Sequence, residues 1–150
     1  MSILRTLLLT AALVAVIAPA AVAGEKGAMP AERMVAKINK VRAKHDLQPL
    51  RTAPKLMRSS RDYARHLIRT DTFAHGSSYA KAGFETTGET LAFHRGQMRR
   101  PWPILRMWLA SPAHRALILS ASFSHVGAGL ASGRFDGVKA TIWVARFGAR

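Results

Sequence analysis

Apolar residues recur at helical spacing in two stretches of the first half of the chain. The first stretch begins at Pro30 and places Met34 and Ile38 on one face, with Lys and Arg on the other sides. The second begins at Pro54 and continues to about Thr70. Each stretch is long enough for several helical turns, and its proline stands at the first position of the helix, where proline is tolerated. We therefore predict two amphipathic helices.

The second half of the chain changes from helical to strand patterning. A third helix is predicted between about residues 102 and 109, and a fourth after Ser111, which supplies an N-cap ahead of a proline. Residues 126–131 and 138–147 are typical of strands, and Asp136-Gly137 supplies a turn between them. Helices first and strands last predict an α+β fold in layers.

Residues 71–87 lack helical periodicity and contain several Gly and Ser residues, so we predict a loop anchored by Phe73 and Tyr79. A loop of this length inside a compact domain usually carries function. The three tryptophans are predicted to be core rather than a ligand-stacking platform. They are Trp102, Trp108 and Trp143.

The first 23 residues have the three-part layout of a secretory signal peptide. A positive charge at Arg5 precedes an apolar run, and Ala21-Val22-Ala23 is an A-x-A cleavage signature before Gly24. The apolar run is short for a membrane span, which needs roughly 20 residues. We therefore expect cleavage, no transmembrane segment afterwards, and a secreted or periplasmic protein. The mature chain would then be a flexible leader, residues 24–29, followed by one monomeric domain, residues 30–150.

The chain carries a net charge of +15 and no cysteine. The predicted signal contributes one Arg and no acid, so its removal lowers the charge by only one. Basic residues are scattered rather than clustered, which favours attraction to an anionic envelope over specific nucleic-acid binding; a merely solvated basic surface is the alternative. Without cysteine, disulfides, Cys-ligated zinc and a thiol nucleophile are excluded. Any chemistry must use His, Glu, Asp or hydroxyl groups.

Seven short segments stand out in order between about Met34 and Gly148. They are Ile38-Asn39-x-x-Arg42, Leu47-x-Pro49-Leu50, Phe73-Ala74-His75, Gly88-Glu89-Thr90-Leu91-Ala92, Trp108-Leu109-x-Ser111-Pro112-x-His114-Arg115-x-x-Ile118-Leu119, Val126-Gly127-x-Gly129 and Trp143 to Gly148. The most specific is the one that includes Trp108, Ser111-Pro112 and His114-Arg115. Together the segments resemble a compact bacterial member of the CAP family (cysteine-rich secretory proteins, antigen 5 and pathogenesis-related 1).

The resemblance implies an α-β-α sandwich with a central antiparallel sheet, and a surface cleft lined by two histidines and acidic residues. Carried over by position, these residues are His75, Glu89 and His114. The sequence departs from the family pattern twice. Ser111 stands near the place where larger members have a second Glu, and Thr90 replaces an Asn.

Two neutral imidazoles and one carboxylate suit Zn²⁺ or another divalent metal, with a position left for water. His114 would lie in the first turn of its helix, where the helix dipole disfavours imidazolium. The alternative is that Glu89 only hydrogen-bonds a histidine and ties the loop to the helices. No organic cofactor is expected.

Three functions remain open for this cleft. The favoured one is a binding module whose cleft or flanking groove holds a lipid, a sterol-like molecule or an anionic cell-envelope component, with or without a bound divalent metal. The second is a metal-assisted hydrolase with Glu89 as ligand or base; the missing second carboxylate counts against it, because one Glu can hardly do both. The third is a cationic protein that adheres to the envelope through charge alone.

The remaining polar candidates are assigned structural or surface roles. Glu85 is expected to lie exposed in the loop, and His125 to cap the sheet edge. No serine lies in a Gly-x-Ser-x-Gly elbow, so a serine hydrolase is not expected. The histidines with polar or basic neighbours are expected at the surface: His45, His66 and His94.

Overall fold

A computed structural model describes residues 28–76 and 83–150. The predicted signal peptide, most of the predicted leader and Tyr79 lie outside the described residues. The helices and strands follow in chain order. They are α1 (Pro30–Ala43), β1 (Arg51–Thr52), α2 (Pro54–Thr70), β2 (Thr86–Arg95), α3 (Pro101–Ala110), α4 (Pro112–Ile118), β3 (His125–Phe135) and β4 (Val138–Ala149).

One four-stranded sheet lies at the centre of the fold, in the order β1-β3-β4-β2. The three long strands are antiparallel, with β3 and β4 forming the predicted hairpin, while the two-residue β1 runs parallel to β3. The sheet is therefore mixed rather than purely antiparallel. Strand β2 was not predicted from the sequence. Its middle residues are buried continuously rather than alternately, so the period-2 signal is missing.

Helices cover both faces of the sheet, which confirms the α-β-α sandwich. On one face, Ala64 and Leu67 of α2 pack with Leu91, Ile142 and Val144 of the sheet. On the other face, a larger core joins α1, α3 and α4 to the sheet residues that alternate with that first set. No helix within the described ranges is long and apolar enough to cross a membrane.

Helix α2 lies against β3 with backbone touching backbone. A Cβ atom on Gly127 would collide with the backbone of Leu56 and Met57, and one on Gly129 would collide with the backbone of Arg61. The Ser60 hydroxyl also donates a hydrogen bond of 3.1 Å to the Gly127 carbonyl. The two glycines are therefore required because no side chain fits between the helix and the strand.

Arg42 is a buried cation that joins distant parts of the chain. Its guanidinium donates to the carbonyls of Gln48, Ile118 and Ser120 at 2.8–2.9 Å. The side chain is 1% exposed, and burial lowers its pKa. Two of these bonds connect the end of α1 with the end of α4, and the third holds the connection that follows α1. The family-like segment containing Arg42 therefore has a structural role.

Two expectations about large side chains need correction. Trp108 and Trp143 are core residues, but Trp102 is 46% exposed, because it lies on the outer face of the first turn of α3. Phe73 is equally exposed and makes an edge contact with the ring of Phe93, so it is not a buried anchor. Ser111 does precede α4, yet its side chain makes no cap hydrogen bond.

Trp108→Ala is expected to lower the free energy of unfolding by about 3–5 kcal/mol, through lost burial and a cavity. The indole is 1% exposed, and its Nε1 donates a 2.9 Å hydrogen bond to the carbonyl of Leu91 in β2. Trp102→Ala is the matched control and should change stability far less. Urea unfolding of both variants measures the difference. Equal losses would contradict the assigned packing of α3.

Candidate functional site

The predicted site residues lie around β2, the edge strand of the sheet on the side away from β1. Glu89 is in β2 itself, His75 is in the segment that follows α2, and His114 is in α4. Helices α2 and α4 cover opposite faces of the sheet. His75, on the α2 side, and His114, in α4, can therefore share one site only where their side chains meet beside this edge.

Glu89 is almost completely buried, with 1% of its side chain exposed, and both carboxylate oxygens have partners. Oε1 accepts a 3.0 Å hydrogen bond from the Gly76 backbone N–H and lies 2.9 Å from His75 Nδ1. Oε2 accepts a 2.9 Å hydrogen bond from Arg146 Nε. Glu89 is therefore held by the protein on both sides.

Arg146 lies directly opposite Glu89 in the β2–β4 register and is itself nearly buried. Its guanidinium donates to the Ser59 carbonyl at 3.1 Å and lies over the Tyr63 ring, 4.6 Å from the ring centroid. The Tyr63 hydroxyl in turn donates a 2.7 Å hydrogen bond to the Ala74 carbonyl. This chain of contacts fixes the segment that carries His75.

Arg146 and Tyr63 were not among the site residues predicted from the sequence. A signal was available for Arg146, since it is a lone cation within the apolar run of β4, where a buried charge requires a partner. The pKa of Tyr63 is raised mainly by burial and next by Glu89, while Arg146 opposes the shift. Tyr63 is therefore protonated at neutral pH and able to donate its hydrogen bond.

The two histidine rings come close to each other, with centroids 6.5 Å apart and planes inclined at 50°. The His75 side chain is 62% exposed, while His114 is half-buried. The pKa of His114 is lowered, first by burial and second by the charge of His75. The direction of this shift agrees with the neutral imidazole expected from the sequence, and its causes in the structure are burial and the second imidazole.

The two departures from the family pattern occupy different places. Ser111 is a half-buried junction residue between α3 and α4. Thr90 is fully buried, and alternation along β2 directs it to the sheet face opposite Glu89. Among the described residues, its hydroxyl has no hydrogen-bond partner. Thr90 therefore does not compensate for the missing second acid beside Glu89.

The predicted three-ligand metal site stays a prediction. Within residues 28–76 and 83–150, no three His, Asp, Glu or Cys side chains are grouped so that they could hold an ion. Glu89 already holds Arg146 and His75 in the arrangement described above. The donors that fit a divalent ion are the two imidazoles, with His75 offering Nε2 because Nδ1 faces Glu89.

The other candidate residues lie elsewhere. His45 and His66 are exposed as expected, and so is Glu85. His94 was also expected at the surface, but it is half-buried, and its Nδ1 has no hydrogen-bond partner among the described residues. His125 begins β3 and packs against Phe84 with ring centroids 5.4 Å apart. His125 therefore belongs to the sheet edge and not to the site.

The arrangement of Glu89, His75 and His114 supports two kinds of chemistry. A carboxylate on Nδ1 fixes the orientation of the His75 ring and leaves Nε2 directed elsewhere, as in carboxylate–histidine pairs that support metal ligands. The same pairing is used by general bases. Nearby His114 is kept neutral and can accept a hydrogen bond or bind an ion.

The lowered pKa of His114 predicts a pH dependence of stability. An unfolded chain binds this proton with a pKa of about 6.5, more readily than the folded protein does. The free energy of unfolding should therefore fall as the pH decreases through that value toward the lowered pKa. His114→Gln should lose less stability than the wild type between about pH 7.5 and 5.5. Urea unfolding at both values measures this.

The exposed His45 supplies the control for this measurement, and His45→Gln should keep the wild-type pH dependence. Part of that dependence will remain in His114→Gln, since burial, Arg150 and Arg51 also lower the pKa of His125. An unchanged pH dependence in His114→Gln would contradict the assigned burial of that ring.

Comparison with known proteins identifies relatives of this chain and of its fold. The uncharacterized protein YkwD of Bacillus subtilis is 27% identical over an alignment of 126 residues, which covers 77% of this chain and 46% of YkwD. The chain thus spans about half the length of that relative. Among solved structures, an extracellular SCP-domain protein from Bacillus anthracis matches with a TM-score of 0.63 and 21% identity, covering 81% of this chain and 40% of that one.

An outer surface protein from Borrelia burgdorferi matches with a TM-score of 0.62 and 22% identity, covering 79% of this chain and 91% of that one. At these identities the structures show a shared fold. The sequence model of the family described as the cysteine-rich secretory protein family matches residues 35–147, which is most of the chain. The chain therefore belongs to the cysteine-rich secretory protein, or CAP, family.

Proposed function

We propose that this protein is an exported binding module whose site at the β2 edge, formed by His75, Glu89 and His114, holds a ligand without turning it over. The observation that carries the proposal is the state of Glu89. It is the acid identified in the site, and both of its oxygens are engaged by protein donors.

A carboxylate that acts as general base needs an oxygen free to take a proton. In Glu89 a new proton would displace a hydrogen bond from Gly76 or His75 on one oxygen, or from Arg146 on the other. Arg146 is itself fixed by Ser59 and Tyr63 and cannot easily withdraw. This network favours a structural role for Glu89, in which it positions His75 for binding.

Two imidazoles suit a divalent metal such as Zn²⁺, which would take its remaining ligands from water or from the bound molecule. With few protein ligands we expect a dissociation constant in the micromolar range or weaker, which corresponds to a binding free energy on the order of −8 kcal/mol. A metal at this position would supply a Lewis-acid contact for a ligand oxygen. His75 and His114 would hold it, and Glu89 would orient His75.

The ligand class follows from charge and location. With a net charge of +15, the surface attracts anionic lipid or another anionic envelope component over long range. The signal-like N-terminus supports export, and the similar proteins described as extracellular and outer surface are consistent with that location. We therefore propose an anionic envelope ligand.

A hydrolase is the second candidate, and one contact favours it. The 2.9 Å distance between His75 Nδ1 and Glu89 Oε1 is the geometry of a carboxylate-oriented general base. In this version His75, rather than Glu89, would remove a proton from water. Ser111 near the place of the second acid weighs against it, because the described residues place no further carboxylate beside His75 and His114 for proton transfer to the leaving group.

Zn²⁺ titration followed by calorimetry tests the site. We expect weak binding by wild type at about pH 7.5 and weaker binding at about pH 5.5, because both imidazoles must be neutral to bind the ion. His75→Ala and His114→Ala should lose this binding while remaining folded. The His75 side chain, at 62% exposure, contributes little to the core. His45→Ala, a change at an exposed position, should bind like wild type.

Three results would contradict the proposal in different ways. If neither histidine substitution changes the zinc affinity, the metal does not bind at this site. Peptidase or esterase turnover that disappears in Glu89→Gln would establish the hydrolase. Binding to phosphatidylglycerol vesicles that is abolished by salt and unchanged in both histidine variants would show adhesion through charge alone.

Export predicts a mature chain that begins at Gly24, because Ala21-Val22-Ala23 supplies the small residues that signal peptidase requires. Intact-mass measurement of protein recovered outside the cytoplasmic membrane tests this expectation. A membrane-bound species that retains the first 23 residues would contradict both the cleavage and the proposed location.

A further inference from the structure

The edge of the sheet opposite the histidine site has a groove of its own. Strand β1 pairs only with His125 and Val126 of β3, so no strand of the described chain covers β3 from Gly127 onward. A cavity of about 410 Å³ lies along this uncovered edge. Its floor is residues 128–132 of β3, and its walls come from α2 and the start of α1.

The backbone of the uncovered edge is directed into this groove. The β3–β4 register runs without a bulge, so alternate residues of β3 turn their N–H and C=O groups away from β4. At the start of the strand these groups meet partners: the Val126 carbonyl accepts from the Ala53 N–H, and the Ala128 N–H donates to Met57 Sδ at 3.1 Å. The backbone N–H and C=O groups of Leu130 and Ser132 continue this alternation and are directed into the groove.

The walls of the groove are cationic and partly apolar. Arg61, Arg65 and Arg99 line it together with Met29 and Met57. Asp62 forms exposed ion pairs with Arg61 and Arg65, at 3.7 and 3.6 Å, and such exposed pairs contribute little energy. Glu32 also lines the groove, and its carboxylate accepts a 2.9 Å hydrogen bond from the Met29 N–H. Three arginines against these two carboxylates leave the groove with a net positive charge.

We propose that this groove binds an extended acidic peptide segment, which adds to β3 as a further strand at residues 128–132. A peptide backbone complements the alternating donors and acceptors of a sheet edge, and its side chains alternate between the two walls. Acidic side chains complement the three arginines. The proposed function concerns the opposite edge of the sheet, so this site is additional to it.

The charge of the chain argues against a second copy as the occupant. At a net charge of +15, two chains repel each other, and pairing edge to edge would bring two sets of the same arginines together. A hydrocarbon tail is also disfavoured, because it would leave the exposed N–H and C=O groups at residues 130 and 132 without partners. The alternative role of the arginines is to protect a bare edge from aggregation.

Fluorescence anisotropy with a labelled peptide tests the proposal on the mature protein. The probe is a fluorescein-labelled octapeptide that alternates Glu and Val, and two comparison peptides isolate its features. One carries Lys in place of Glu; the other keeps Glu but has alternate backbone amides N-methylated, which blocks strand pairing. We expect binding of the Glu-Val probe and a loss of about tenfold or more for each comparison peptide.

Two sets of variants locate the binding. Neutralising the groove with Arg61→Gln, Arg65→Gln and Arg99→Gln should weaken binding about tenfold or more, whereas the same charge change outside the groove, at exposed Lys55, Arg95 and Arg106, should have little effect. Ser132→Pro removes an edge N–H at a position where a strand tolerates proline.

Ser132→Ala is the control for the proline variant. It keeps the edge N–H but loses the side-chain hydrogen bond to the Thr141 hydroxyl. Equal binding of the N-methylated peptide, or unchanged binding by a folded Ser132→Pro protein, would show that charge alone acts and would overturn strand addition. An absence of probe binding by wild type, or equal loss in both arginine sets, would overturn the groove as the site.

Discussion

The buried ion pair between Glu89 and Arg146 is the interaction on which the site depends. Burying two charges is costly unless they are paired and their remaining hydrogen-bonding positions are filled. Here Glu89 accepts from three groups, and Arg146 donates to the Ser59 carbonyl while packing on Tyr63. The pair joins two strands, a helix and the segment bearing His75. Replacing one partner alone would leave an uncompensated charge in the core.

The network also explains how an exposed histidine keeps a defined position. His75 lies in a segment without regular secondary structure, which by itself would sample many conformations. The Tyr63 hydroxyl holds the preceding residue, and Glu89 holds His75 and the N–H of Gly76. The imidazole is thus ordered from its buried side and remains accessible from the other. This is an arrangement suited to binding a ligand at the surface.

The two edges of the sheet are completed in different ways. At the β2 edge, side chains from both faces converge on a polar site. At the β3 edge, β1 covers two residues, and then Met57 of α2 becomes the partner of the Ala128 N–H. Helix α2 can come this close because Gly127 and Gly129 have no side chains. Beyond that point no described strand covers β3, and Arg61, Arg65 and Arg99 lie beside it.

Local patterns were sufficient for much of the fold. The helices at Pro30 and Pro54 and the β3–β4 hairpin follow from periodicity and turn residues, and ordered motifs identified the family. Strand β2 could not be predicted from the local pattern, because burial on both faces removes the alternation by which a strand is recognised. The exposure of Trp102 could not be predicted either, because hydrophobicity does not indicate which face of a short helix packs against the core.

The amino-acid sequence by itself determined the class of fold and the residue types of the site: two histidines, one glutamate and no cysteine. Only the tertiary structure decided what those residues contact. Arg146 follows Glu89 by 57 positions in the chain, and their pairing arises from the register of β2 against β4. The neutrality of His114 likewise depends on burial and on the proximity of His75. Local sequence specifies backbone preferences, whereas charge pairing and desolvation depend on which distant segments the sheet brings together.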